Sequence, residues 1–352
     1  MIRRIIAVAG VLAVAVTLGG CSTAAGTGTN AEPASQNLPT ELRFGYFPNF
    51  THAPAIIALE KGYLQKELGK GVKVTPVTFN AGPAAIEALF GNAVDITLAG
   101  PNPTITGYTK SHGEALKVVA GAASGGAGLV VRQGINSPAD LKGKTIATPS
   151  LGNTQDVALR YWLKQQGFNT TTEGGGDVHI MPEDNATALQ AFIQGKLDGA
   201  WVPQPWVTQM VEQGHGTELV NEASLWPSGK FVVTNTVAST AFLKKYPDAV
   251  KAVIAAELDA IDFIKAHPKD AATIVNDQIK AITGSQTDPK VLETAWNDVT
   301  FTIDPLPATL LASAAHAHSV GLLDTVKLDG LYDLKPLNSL LEKRGEKAIP
   351  TP

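Results

Sequence analysis

Two stretches of this 352-residue chain repeat each other at one offset, and that repetition limits the fold more than any other feature. Thr51 and Thr154 lie 103 residues apart, and each opens a helical pattern just after a short apolar strand. The strands are Leu42-Arg43-Phe44-Gly45 and Thr145-Ile146-Ala147-Thr148. Further on, Ile86, Leu89, Phe90, Val94 and Asp95 answer Leu189, Phe192, Ile193, Leu197 and Asp198 at the same spacing. Both runs lead into a Pro-punctuated loop, Gly100-Pro101-Asn102-Pro103 and Pro203-Gln204-Pro205-Trp206. Unrelated segments do not keep one offset over such a span. The chain is therefore expected to hold two similarly wound α/β lobes with a ligand between them.

From Glu41 onward, short apolar strands alternate with helical patterns, the sign of a parallel or mixed sheet. The first helix is expected over 53–68, with Pro54 in its first turn, Gly69 past its end, and Ile57, Leu64 and Leu68 facing the core. A turn at Asn80-Ala81-Gly82 feeds a helix with Ile86, Leu89 and Phe90 inward. The second half opens near Leu129-Val130-Val131, and its helix over 153–166 is expected to bury Val157, Ala158, Tyr161 and Trp162. A strand over 231–238 leads the chain back. Beyond Ser239 the pattern is almost wholly helical, with a long amphipathic helix ended by Pro268 and further helices over 291–299 and 307–318. This reading gives lobe I as 40–127 plus 236–352 and lobe II as 128–235. Two crossings, near Ala127–Gly128 and Thr234–Thr236, would form a hinge that permits closure about a ligand.

The N-terminus reads as an export signal. Arg3 and Arg4 precede an apolar run from Ile5 to Leu18 that is too short for a comfortable membrane span. The run closes at Leu18-Gly19-Gly20-Cys21, which resembles a bacterial lipobox, so 1–20 is expected to be a lipoprotein signal peptide and Cys21 the lipidated residue. Cys21 is the single cysteine, which excludes an intramolecular disulfide and a cysteine metal cluster. Residues 21–39, rich in Thr, Ala, Gly and Ser, read as a flexible tether. Two acyl chains on one cysteine suffice for stable anchoring to the membrane. A formal net charge of −4, without a Lys/Arg cluster, argues against nucleic acid.

In open α/β sheets, ligands bind beyond the carboxyl ends of the strands. The repeat puts two such ends at Tyr46–His52 and Pro149–Thr154. Asn49, Thr51 and His52 stand in one, and Gly152, Asn153 and Thr154 in the other. Each loop places Asn and Thr where a helix begins. Free N–H groups and the macrodipole there favour an anion by about 0.3–1 kcal/mol, or about 2 when buried. Plain helix capping by Asn49, Thr51, Asn153 and Thr154 is the alternative, and the two uses can coexist through different atoms. The second pair of loops offers Gly100, Asn102, Gln204 and Trp206, the amides as donors and acceptors and the indole as a flat wall. Ser124, in Gly121-Ala122-Ala123-Ser124, is a third contributor. No arginine falls in these loops, and His52 and Lys230 are the nearby candidates for positive charge. A monoanion or a neutral polar solute fits that better than a phosphate ester.

Signs of catalysis are weak. There is no Gly-x-Ser-x-Gly elbow, Walker loop or His-Glu-x-x-His. His316 and His318, two apart on a predicted helix, do not share a face, so no metal site is expected. Asp95 and Asp198 close the repeated helix-to-strand turn and are expected to hydrogen-bond backbone. Neither enzymatic activity nor a cofactor is expected.

At these loops the chain resembles the solute-binding lipoproteins of the nitrate, sulfonate and taurine family of ABC importers, and among them the aliphatic-sulfonate-binding branch. The pieces that carry the resemblance are Phe44-Gly45-Tyr46, Phe79-Asn80-Ala81-Gly82-Pro83, Val94-Asp95-Ile96, Ala139-Asp140-Leu141-Lys142-Gly143-Lys144 and Leu197-Asp198-Gly199-Ala200-Trp201. The resemblance implies the type II periplasmic-binding-protein fold, a monomer outside the cytoplasm, and delivery of a small anion to a permease and its ATPase. Carried over by position, the family's site falls on Asn49, Thr51, Asn102, Ser124, Asn153, Thr154 and Gln204. The sulfonate branch often has a serine-rich run where this chain has Leu151-Gly152-Asn153-Thr154, so nitrate, bicarbonate or a pyrimidine-type solute stays open beside an aliphatic sulfonate. A sensory or adhesive lipoprotein is the competing class.

Overall fold

Alternating apolar strands and amphipathic helices form two sheets, each with helices on its faces. The chain runs β1 (Glu41–Tyr46), α1 (Ala53–Glu60), α2 (Tyr63–Leu68), β2 (Lys73–Thr78), α3 (Gly82–Phe90), β3 (Ile96–Ala99), α4 (Pro101–Lys110) and β4 (Leu116–Gly125). It continues through β5 (Ala127–Val131), β6 (Thr145–Thr148), α5 (Thr154–Gln165), β7 (His179–Pro182), α6 (Asn185–Ile193), β8 (Gly199–Pro203), α7 (Trp206–Gly214) and β9 (Thr217–Asn221). The last part holds β10 (Val232–Ser239), α8 (Thr240–Lys245), α9 (Pro247–Ala266), α10 (Pro268–Thr283), α11 (Leu292–Asn297), β11 (Val299–Phe301), α12 (Pro307–Ser319) and α13 (Lys335–Lys343). This computed structural model describes residues 37–325 and 327–351. The expected signal peptide, Cys21 and nearly all of the tether lie outside the described residues. Among those described, no helix is long and apolar enough to cross a membrane.

The first sheet has the order β11-β4-β10-β3-β1-β2 and the second β7-β6-β8-β5-β9. The runs β2-β1-β3 and β7-β6-β8 are both parallel and similarly wound, and each is flanked by an antiparallel strand, β10 beside β3 and β5 beside β8. The repeat read in the sequence is thus a repeat of topology. One detail differs: Phe44 pairs with Ile96 and Ile146 with Gly199, so the first strands are related by one residue less than the helices that follow. Asp95 and Asp198 hydrogen-bond backbone in both halves, accepting from the N–H of Arg43 at 2.8 Å and of Thr145 at 2.9 Å.

β3 and β8 are buried along their whole length, as strands covered on both faces must be, and they read as unbroken runs of small and apolar residues. Each face of the second sheet has its own core, one around Ile146, Leu159, Trp162 and Trp201, the other around Leu189, Phe192, Val202 and Trp206. The core of the first sheet extends into α9, α10 and α12 and also takes in Val157 from α5. The first sheet with its helices is lobe I and the second is lobe II.

The chain passes from lobe I to lobe II at Gly125–Gly126, where φ is +79° and +70°. It returns between Asn221 and Val232. The return therefore precedes Thr234–Thr236, where the sequence put it, because β10 pairs with β4 from Val232 to Ser239 and lies wholly in the first sheet. Other expectations change as well: Ala158 and Tyr161 of α5, expected to be buried, are half-buried. The helix over 53–68 is two helices, broken at Gly62 with φ +70°. Phe90 points outward and is 39% exposed. The segment 291–299 is helical only to Asn297, after which Val299–Phe301 joins the edge of the first sheet.

Candidate functional site

The carboxyl ends of the strands in both lobes face each other across a cavity of about 30 Å³. Lobe I supplies the loop after β1, with Phe47, Asn49, Thr51 and His52, the turn Asn80-Ala81-Gly82, and Gly100. Lobe II supplies Asn153, Thr154 and Gln155 at the start of α5 and Asn185 at the start of α6. Thr234 comes from β10. The starts of α1, α3, α4, α5 and α6 therefore converge on one point. Helix starts carry N–H groups without intrahelical partners and the positive end of the macrodipole. Prolines remove some of these donors in lobe I, at Pro54, Pro83, Pro101 and Pro103, whereas α5 and α6 have none in their first turns.

Among the described residues, no Asp, Glu, Lys or Arg lines the cavity. His52 is buried and stacks on Phe47 at 4.2 Å between ring centroids. Burial pushes its pKa down to about 3, so the ring is neutral at ordinary pH. Its Nδ1 accepts the Phe47 N–H at 3.2 Å, which places the ring proton on Nε2 and leaves that atom as a donor. Three buried oxygens of the lining have no protein partner: Thr154 Oγ1, Thr234 Oγ1 and Asn185 Oδ1. Buried polar atoms are normally satisfied, so these three oxygens have capacity for a hydrogen-bond partner within the cavity.

Of the expected site residues, the cavity brings together Asn49, Thr51, His52, Gly100, Asn153 and Thr154. Only Asn153 among them caps a helix, its Oδ1 accepting the Asp156 N–H at 2.9 Å. Asn49 occupies the cap position of the turn before α1 but makes no capping bond. Gly100 is there because a Cβ would collide with Thr154 Oγ1 of the other lobe.

Five expected residues stand elsewhere. Asn102 is the second residue of α4, and its Nδ2 donates to the Ser313 carbonyl at 3.1 Å. Ser124 accepts the Phe231 N–H at 3.2 Å beside the crossing. Gly152 donates its N–H to Asp156 at 2.9 Å. Gln204 and Trp206 join the lobes instead of lining the cavity. Gln204 Nε2 donates to Asp298 Oδ2 at 2.7 Å, its carbonyl accepts the Phe50 N–H at 3.0 Å, and Trp206 Nε1 donates to Asn49 Oδ1 at 2.7 Å. Lys230, weighed as a source of charge, lines a separate groove.

Sequence reading passed over Asn80, Asn185 and Thr234 as site residues. Asn185 had a signal: the 103-residue offset pairs it with Gly82, the first residue of α3. Thr234 had none, because its role depends on which way β10 turns its side chains. Among the described residues, no group of three or more His, Cys, Asp or Glu could hold a metal ion.

The taurine-binding periplasmic protein of Escherichia coli is 27% identical over 207 residues, which cover 59% of this chain and 62% of that one. The alkanesulfonate-binding protein SsuA from Xanthomonas axonopodis pv. citri, bound to MOPS, superposes with a TM-score of 0.67 at 22% identity, over 81% of this chain and 95% of that one. The periplasmic nitrate-binding protein NrtA from Synechocystis does so with a TM-score of 0.69 at 17% identity, over 86% and 89%. These neighbours share the two-lobed periplasmic-binding-protein fold. Residues 35–277, well over half of the chain, match the NMT1-like family, and the chain belongs to that family.

Proposed function

We propose that this chain is an extracytoplasmic solute-binding protein of an ABC importer, anchored by lipid on Cys21. It closes its lobes on a small anion and delivers that anion, chemically unchanged, to a permease and its ATPase. The observation that carries this reading is the uncharged cavity between the lobes, ringed by helix starts and by three orphaned oxygens. Each helix start favours an anion by about 0.3–1 kcal/mol, and by more where water is excluded.

The cavity also narrows the choice of solute. The two threonine hydroxyls can donate to an anion, but Asn185 Oδ1 can only accept. It suits a solute that carries a donor beside its anionic group. A taurine-like aminosulfonate has an ammonium to offer there, and taurine and sulfonates are the solutes named for relatives of this chain. Bicarbonate is the second reading, favoured by its hydroxyl and by a volume of only about 30 Å³. Nitrate has no donor.

The test is a thermal-shift panel on the full chain with taurine, ethanesulfonate, bicarbonate, nitrate, sulfate and a neutral pyrimidine. A ligand at a hundredfold excess over its dissociation constant adds about 2.7 kcal/mol of stability. Taurine should shift melting more than ethanesulfonate, which lacks the ammonium. No shift with any compound would overturn the receptor reading and favour a sensory or adhesive lipoprotein. A shift with nitrate alone would keep the receptor and reject the role given to Asn185.

A further inference from the structure

Beside the polar cavity, the described residues form a much larger open groove of about 670 Å³. Tyr161 and Trp162 of α5 form one wall, α12 with His316 the other, and the returning segment Glu222–Lys230 closes the end. The two sites share no lining residue. Between them lies a void of about 10 Å³, bounded by Thr154 on one side and by Trp226 and His316 on the other. The first turn of α5 thus serves the polar site and its next turns serve the groove.

The groove is bordered by a cluster of flat rings that pack on one another. Tyr161 stacks on His316 across the lobe boundary at 3.6 Å, and Trp226 lies 5.3 Å from the same imidazole. Leu225, 47% exposed, adds apolar surface that no side chain covers. Pockets of a few hundred to about a thousand Å³ with apolar and aromatic walls are the usual form of a small-molecule site. Glu222 and Lys230 also belong to the lining. Glu222 is buried, and its oxygens accept the indole N–H groups of Trp201 at 2.7 Å and Trp226 at 3.4 Å. Lys230 is exposed at the mouth and makes no ion pair with a described residue.

We propose that this groove is a second small-molecule site, which takes a flat aromatic monoanion with its rings against the cluster of Tyr161, His316 and Trp226 and its acidic group toward Lys230. Its occupant touches both lobes and is chemically unlike the guest of the polar cavity. The void between them, only about 10 Å³, is too small for a single solute to span both sites.

The test is equilibrium dialysis of 2-naphthoate against the full chain and four variants. Wild type should bind saturably. Ala312→Phe, which fills the groove, should raise the dissociation constant by about tenfold or more. Ala308→Trp, at an exposed position of the same wall, should do the same and serves if the first variant does not fold. Lys230→Ala should weaken 2-naphthoate by about two- to fivefold and leave the uncharged 2-naphthamide unaffected. Thr154→Val, in the polar cavity, should change 2-naphthoate binding by less than about twofold. No saturable binding, or undiminished binding to the filled variants, would overturn the proposal. So would a loss in Thr154→Val equal to theirs, which would place naphthoate in the polar cavity.

Discussion

The first helices of the two lobes begin alike and are held in different ways. At the 103-residue offset, Ala53 and Ile57 of α1 correspond to Asp156 and Arg160 of α5. All four are buried. In lobe I the helix is sealed by apolar packing. In lobe II, Asp156 takes Arg160 Nε, the Thr148 hydroxyl and the Gly152 N–H, each at 2.9 Å. The loop before α5 is therefore tied within its own lobe. The loop before α1 bonds within itself, Phe47 to His52, and also finds partners across the cleft, Asn49 with Trp206 and Phe50 with Gln204. A repeat in sequence fixes winding and position, while the side chains decide which half is preset and which half responds to closure.

The largest effect should come from the buried pair. Arg160→Ile leaves Asp156 charged and unpaired and should cost about 3–5 kcal/mol in urea unfolding. Asp156→Ala combined with Arg160→Ile, which copies the residue types of lobe I, should recover much of that loss. A neutral single variant would break the contrast between the lobes.

Next comes the point where the lobes meet. Gly100→Ala puts a methyl group against Thr154 and should oppose closure by about 1–3 kcal/mol, read as weaker anion affinity. Thr154→Val removes the orphaned hydroxyl and should also weaken the anion by about 1–3 kcal/mol. An unchanged affinity with lower stability would make Thr154 structural only. Trp206→Phe, which deletes the bond to Asn49, should cost about 0.5–1.5 kcal/mol of closure and show as a modest loss of affinity.

A further effect, read from its pH dependence, is electrostatic and lies in lobe I. Burial raises Glu257 to about 8, with Thr236 donating to its carboxyl. A folded pKa above the unfolded value means that its contribution is fully present below about 4.5 and is lost as pH rises through about 8. His52 works in the opposite sense: its folded pKa is depressed, so stability is lost as pH falls from 6.5 toward about 3. Melting scans should show Glu257→Gln gaining on wild type between pH 5 and 9. A constant difference would mean that Glu257 does not titrate there.

The polar site was partly legible in the sequence because the repeat marks where strands end and helices begin. That is why Asn49, Thr51, Asn153 and Thr154, all of which line the cavity, could be placed there from sequence. Asn102, Gln204 and Trp206 were misplaced for a physical reason: the Pro-punctuated segments are not open loops. Pro101 starts α4 directly after β3, so Asn102 already sits on a helix and turns to Ser313. Trp206 likewise starts α7 and is buried against its own sheet. The neutrality of His52 depends on burial, which no local pattern encodes. The aromatic groove depends on α5 meeting α12, a contact between segments far apart in the chain.

Small-angle scattering on the full chain, with and without the anion that gives the largest thermal shift, tests closure most directly. The radius of gyration should fall on saturation, and that of Gly100→Ala should fall less. A profile unchanged at saturation would contradict closure of the lobes on the ligand.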